Sequence, residues 1–226
     1  MKDIISKVLS PAVNLWLHSQ LDKVEQLQIN ITGTNRQILT GYIPGVSLGS
    51  IAPVYQGIHL NQVELTGENI KINLGQVIKG QPLRLLEPIL VKGKIALEQT
   101  QLNLSLSSDL LTTALTDLLK SFIKGDYLHN LQINWQNLEI HSDKLILRAI
   151  AIDSQGTIVT PISWKSGLSL ASHRKLLLHP IQIETSSEQI TLHNYEVDLG
   201  SQVQLENLTL AQGRIDCYGT ATIVSE

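Results

Sequence analysis

The 226-residue sequence predicts an α+β fold in which a long, highly curved antiparallel β-sheet wraps around two helices as a half-barrel or tube. Three observations predict it. Two segments, residues 2–22 and 108–123, carry apolar side chains at helical spacing. Nearly everything else alternates apolar and polar with period two, as half-buried strands do. The connections, such as Asp153-Ser154-Gln155-Gly156, are short. Short connections join antiparallel neighbours, because a parallel crossover needs about a dozen residues or a helix. Two helices cannot cover both faces of so many strands, and curvature about the helices is the economical solution.

In chain order, the first helix places Ile4, Ile5, Val8, Leu9, Val13, Trp16, Leu17 and Leu21 on one wide stripe. Ser10-Pro11 interrupts it, as a kink or as a restart capped by Ser10. Strands then read at Leu27, Ile29 and Ile31; Val63 and Leu65; Ile70, Ile72 and Leu74; Ile95 and Leu97; and Leu102, Leu104 and Leu106. Gly45 to Gly49 and Thr66-Gly67-Glu68-Asn69 read as loops. The second helix opens at Ser107-Ser108-Asp109 and closes at Lys124-Gly125. Its two ridges are Leu111, Leu115, Leu119 and Ile123 beside Leu110, Ala114, Leu118 and Phe122. Strands follow at Leu138 and Ile140, Leu145 and Leu147, Leu168 and Leu170, Ile181 and Ile183, Ile190 and Leu192, and Val203 and Leu205. A related stretch follows each helix, Leu27-Gln28-Ile29-Asn30 and Leu131-Gln132-Ile133-Asn134. The chain therefore reads as one domain, 1–226, with candidate pseudo-repeat halves 1–106 and 107–226.

Composition narrows the function. Hydrophobic residues are 42% of the chain and charged residues 16%, with a net charge of -3. This excludes disorder and leaves no basic excess for a nucleic-acid backbone. Aromatics are 4% and Leu about one residue in six, so the interior must be aliphatic. Cys217 is alone and cannot form an internal disulfide. The start of the chain has a charge inside its apolar stretch and no small-residue cleavage site, and no apolar run reaches the roughly 18 residues of a membrane span. The expectation is a cytoplasmic protein, free or peripheral on an internal membrane.

Two constellations carry chemistry elsewhere. Gly45-Val46-Ser47-Leu48-Gly49 matches the G-x-S-x-G nucleophile elbow, which needs a strand before it and a helix after it. Pro44 precedes it, and Gly49, Ser50 and Pro53 bar the helix, so no catalytic residue is assigned. Glu139, His141 and Asp143 alternate on one strand face, but no second His or Cys pair supports a metal. No metal or cofactor is assigned.

One block is more specific. Gly41-Tyr42-Ile43-Pro44-Gly45-Val46-Ser47-Leu48, Val54-Tyr55-Gln56-Gly57-Ile58-His59-Leu60, Ile70 to Val77, Gly80-Gln81-Pro82-Leu83-Arg84-Leu85-Leu86, and Leu102-Asn103 ahead of the second helix resemble the LmeA-type phospholipid-binding family. The family is similar to tubular lipid-binding (TULIP, BPI-like) domains. Where the family favours Asp before the Leu-Asn pair, this chain has Gln101. The resemblance implies a curved sheet enclosing a long helix with acyl chains inside, phospholipid binding, a membrane-facing role and no cofactor.

The expected partner is phospholipid or a similar acyl lipid, with a membrane surface and no nucleic acid. Candidate lining residues are Val13, Trp16, Leu27, Ile29, Ile31, Val63, Leu65, Ile70, Ile72, Leu104, Leu111, Leu115, Leu119 and Phe122. Candidate headgroup or membrane contacts are Tyr42, Ile43, Tyr55, Lys79, Arg84, Arg174 and Lys175, since basic residues attract anionic lipid and Tyr rings sit at headgroup level. The alternative is a ligand-free interaction or scaffold protein with a packed core, presenting Trp135, Trp164 or the first helix to a partner.

Overall fold

A computed structural model describes residues 8–123, 128 and 130–224. The first half runs α1 (Ser10–Gln20), β1 (Gln26–Thr32), α2 (Asn35–Leu39), β2 (Tyr42–Ile51), β3 (Val54–Tyr55), β4 (Ile58–His59), β5 (Gln62–Lys71), α3 (Leu74–Val77), β6 (Ile89–Glu98) and α4 (Gln99–Ser105). The second half runs α5 (Asp109–Phe122), β7 (Gln132–Ile140), β8 (Leu145–Ile152), β9 (Ile158–Ser172), β10 (Lys175–Glu184), β11 (Gln189–Leu192), β12 (Tyr195–Asp198), β13 (Val203–Ala211) and β14 (Arg214–Ile223).

Strand pairing is antiparallel, as predicted. It divides, however, between two six-stranded sheets and the small β3–β4 ribbon, where one long sheet was expected. The first sheet has the order β1-β2-β5-β6-β14-β13, and the second β11-β10-β9-β8-β7 with β12 also on β10. The break falls where α4 and α5 intervene between β6 and β7. The last two strands then return to the first sheet, so both ends of the chain contribute to it. Its outer strands β1 and β13 do not pair with each other, and the sheet is open.

Among the described residues the two long helices are present, with three short ones beside them. Ser108 caps α5 as predicted, its Oγ accepting from the Leu111 amide at 3.2 Å. In α1 the N-cap is Leu9, not Ser10, and Pro11 sits in the first turn, where its missing N–H costs nothing. Ile4 and Ile5, and the expected Lys124-Gly125 close of α5, lie outside the described residues.

Four local expectations need correction. Leu102, Leu104 and Leu106 belong to α4 and its end, not to a strand. Leu102 and Leu106 are buried one turn apart, whereas Leu104 is 55% exposed, because three alternating leucines satisfy either period. Gly45 to Gly49 and Thr66 to Asn69 are not loops: Gly45 faces Glu68, Val46 faces Gly67 and Ser47 faces Thr66 inside the β2–β5 ladder. Asn69 takes the left-handed conformation at φ 56° inside β5 without shifting the β2–β5 register, and the Tyr42 hydroxyl donates to its Oδ1 at 2.6 Å. Finally, Ile72 lies past the end of β5, and Leu74 opens α3.

Two cores form. The first gathers Leu9, Val13, Trp16 and Leu17 of the α1 region against Ile29, Ile31, Ile43, Val46 and Ile70 of the first sheet, with Ile38, Ile72, Leu74, Leu83 and Leu85. The second packs α4 and α5 onto the second sheet and onto Leu97, Leu208, Leu210 and Ile215 of the first. The scarce aromatic rings concentrate here: Phe122 meets Trp164 and Tyr195 edge-on, with centroids 5.5 and 4.8 Å apart. Asn103 ties α4 to the edge strand β7. Its Oδ1 accepts from Leu138 N and its Nδ2 donates to Leu138 O, both at 2.8 Å. Gln99 Oε1 adds a bond from Ile140 N at 2.8 Å. The edge that would otherwise lack partners is thus completed by side chains.

Candidate functional site

Cross-strand register lines the apolar face of the first sheet with continuous rows. One row runs Leu27, Ser50, Val63, Ile95, Cys217, Leu208 across all six strands. The next runs Ile29, Leu48, Leu65, Gly93, Gly219, Leu205. A third runs Ile31, Val46, Gly67, Val91, Ala221, Val203.

The two cores cover the ends of this face. The first core takes Ile29, Ile31, Val46, Ile89 and Ile223. The second takes Leu97, Leu208, Leu210, Ile215 and Cys217. Between them, Leu27, Leu48, Leu65, Ile95 and Leu205 stay half-buried and belong to neither core. Glycines lower the middle of this belt. A Cβ on Gly93 would stand 2.8 Å from Leu65 Cδ2, and one on Gly219 would collide with the Gln204 carbonyl oxygen. At six strands and about 4.8 Å between neighbours, the belt is about 24 Å long.

Of the predicted lining residues, Leu27, Val63 and Leu65 lie in the belt. Val13, Trp16, Ile29, Ile31, Ile70 and Ile72 are in or against the first core. Leu111, Leu115, Leu119 and Phe122 are in or against the second. Leu104 faces away from both. Sequence reading missed Leu48, hidden in the Gly-x-Ser-x-Gly stretch, and Leu205 and Ile95 as members of the site. The alternation Ile215, Cys217, Gly219, Ala221, Ile223 was a readable sign of β14.

The predicted headgroup contacts are not gathered. Ile43 is 1% exposed in the first core and has no surface to offer. Tyr42 is half-buried on Asn69, and Tyr55 is exposed on the β3–β4 ribbon. Lys79 and Arg84 are exposed beyond α3. Arg174 and Lys175 are exposed at the β9–β10 turn, where Lys175 Nζ bonds Glu196 at 2.7 Å and is held above the ordinary lysine range by it.

Ser47 sits mid-strand opposite Asn30 and Thr66, not on a strand-to-helix turn. The Glu139 carboxylate accepts from Arg148 and lies 3.5 Å from His141 Nε2, and Arg148 holds it below the usual carboxylate range. Asp143 turns to Lys144 at 3.7 Å. Among the described residues no cluster of three or more His, Cys, Asp or Glu is placed to hold a metal ion.

Two cavities stand out, and neither is lined by a predicted lipid contact. One, of about 280 Å³, includes Glu64, Lys94, Asn207, Arg214 and Tyr218. The other, of about 840 Å³, opens beside the start of α5 between Asp22, Gly57, Ser108, Asp109 and Leu110. Cys217 bridges the belt and the second core, and burial, with Asp216 adding to it, raises its thiol above the ordinary range. No helix among the described residues is long and apolar enough to cross a membrane.

The sequence profile of LmeA-like phospholipid-binding proteins matches residues 1–220, which takes in the second core, the whole belt and all of the first core but Ile223. No curated protein and no solved structure matches the chain. The match reaches from α1 into β14, and the chain belongs to the LmeA-like phospholipid-binding family.

Proposed function

We propose that this protein binds phospholipid by laying acyl chain along the belt of the first sheet, between the two cores, and acts as a non-enzymatic lipid carrier or membrane-associated lipid-binding protein. The single observation that carries the reading is the half-buried state of Leu27, Leu48, Leu65, Ile95 and Leu205 on a face whose two ends are packed. Apolar rows left partly open in this way need an apolar occupant. Each methylene of an acyl chain removed from water there contributes about 0.8 kcal/mol. Branched aliphatic walls without rings suit a flexible chain, and the belt contains no aromatic side chain. Family membership supports phospholipid as the ligand class.

The test is uptake of a fluorescent phosphatidylcholine from detergent micelles by the wild type and by Leu48→Lys. Leu48 is half-buried on the sheet face, so the lysine can reach water and the fold survives. Uptake by the wild type and its loss in the variant supports the reading. Equal uptake by the two places the lipid elsewhere, and no uptake by either favours a ligand-free scaffold.

A further inference from the structure

We propose that the end of the molecule built by α2, α3 and residues 78–90 seats on an anionic phospholipid bilayer. The proposal rests on the phospholipid reading for the kind of partner and on its own residues for the place. Leu39, Ile78, Leu86 and Leu90 are 54–61% exposed in this region. Hydrogen bonds hold their segments together. Ile72 N donates to Gly41 O at 2.9 Å, which brings the end of α2 to the start of α3. Asn73 N donates to Arg84 O at 3.2 Å and Arg84 N to Asn73 Oδ1 at 2.7 Å, and Leu86 N donates to Lys71 O at 2.9 Å, which fastens the loop to the same turn. Ile38, Leu74, Leu83 and Leu85 are buried beneath in the first core, so the exposed side chains stand on a packed base.

Charge identifies the occupant. Segments 33–41 and 70–90 hold four cations, Arg36, Lys71, Lys79 and Arg84, against one carboxylate, Glu87, a local net of +3 in a chain of net charge -3. Glu87 is bonded to Lys71 at 2.8 Å. Arg36, Lys79 and Arg84 make no ion pair among the described residues. Exposed aliphatics interleaved with unpaired cations are the composition of an interfacial anchor on anionic lipid. The other basic turn, at Arg174 and Lys175, differs on both counts: Lys175 is bound to Glu196, and no large apolar side chain is exposed beside it.

The test is flotation of the full chain with vesicles of equal parts phosphatidylglycerol and phosphatidylcholine, and with phosphatidylcholine alone. The wild type should float with the anionic vesicles, less with the neutral ones and less at high salt. Lys79→Ala and Arg84→Ala should each weaken flotation about five-fold, and Leu86→Asp should abolish it. All three positions are exposed, so unchanged thermal unfolding is the check on folding. Flotation that is equal across these variants, or absent altogether, overturns the docking proposal. Micelle-delivered uptake separates the two claims: Leu86→Asp should retain it, and Leu48→Lys should lose it while still floating. A Leu86→Asp protein that loses uptake as well as flotation also overturns the assignment of this end to docking alone.

Discussion

Leu65 lies over Gly93: the leucine's Cδ2 occupies space so close that a Cβ on the glycine would stand 2.8 Å from it. Gly93 in turn faces Gly219 across the β6–β14 ladder. The pair of glycines removes side chains from the middle of the apolar face and leaves Leu65 to floor the belt. Gly93→Ala meets only the end of a movable side chain and should push Leu65 upward, narrowing the belt. Phosphatidylcholine uptake should then fall while the thermal midpoint stays near that of the wild type. Gly219→Ala meets backbone instead and should cost about 1–3 kcal/mol on overpacking grounds, seen as a lower denaturation midpoint.

Asn103 supplies both a donor and an acceptor to Leu138. Asn103→Leu should leave the amide and carbonyl of Leu138 without partners at a partly buried site, at about 1–3 kcal/mol. Urea denaturation measures it, and hydrogen exchange at the Leu138 amide should rise. Unaltered exchange there would remove Asn103 from its role in completing β7. That role also accounts for the Leu-Asn pair singled out in the sequence, since Leu102 enters the second core one residue before Asn103 reaches the strand edge.

Cys217 is a built-in reporter, because the chain has no other cysteine. Its raised thiol should react slowly with iodoacetamide at neutral pH, since the thiolate is the nucleophile. Acyl chain in the belt should cover it further. Alkylation rates should therefore drop several-fold after loading with phosphatidylcholine, and a rate indifferent to loading would take lipid away from the Ile95–Cys217 part of the row.

The Glu139–Arg148 pair gives a pH dependence with a defined sign. Glu139 titrates below its ordinary value of 4.5, chiefly through its hydrogen bond from Arg148. Its contribution to stability is present above that ordinary value and is lost as pH falls through the lower folded one. Arg148→Ala should move the acid-unfolding midpoint to higher pH. Water reaches both side chains, so the loss at neutral pH should stay under about 1 kcal/mol.

How much was legible in the sequence depended on burial. Strands such as β1 and β10 turn their apolar side chains to one less exposed face, so Leu27, Ile29, Ile31 and Ile181, Ile183 announce them at the correct period. β2 reads Gly, Ser and Pro at sheet-internal positions, and only its pairing with β1 and β5 makes it a strand. The α4 leucines fit two periods, and the fold resolves them because Asn103 and Gln99 gain partners on β7 only from a helix docked there. The division into two sheets rests on β6 pairing with β14, a contact between distant parts of the chain that leaves no local trace. The candidate site was the least legible part. Its rows exist only in the register, and helix residues such as Leu119 and Phe122, which share the same composition, are core.

The most direct measurement is mass spectrometry of the organic extract of protein purified from cells without detergent. The wild type should carry phospholipid in near-stoichiometric amount, and Leu48→Lys and Gly93→Ala should carry much less. Wild-type protein that is repeatedly free of lipid and also refuses phosphatidylcholine from micelles would contradict phospholipid binding.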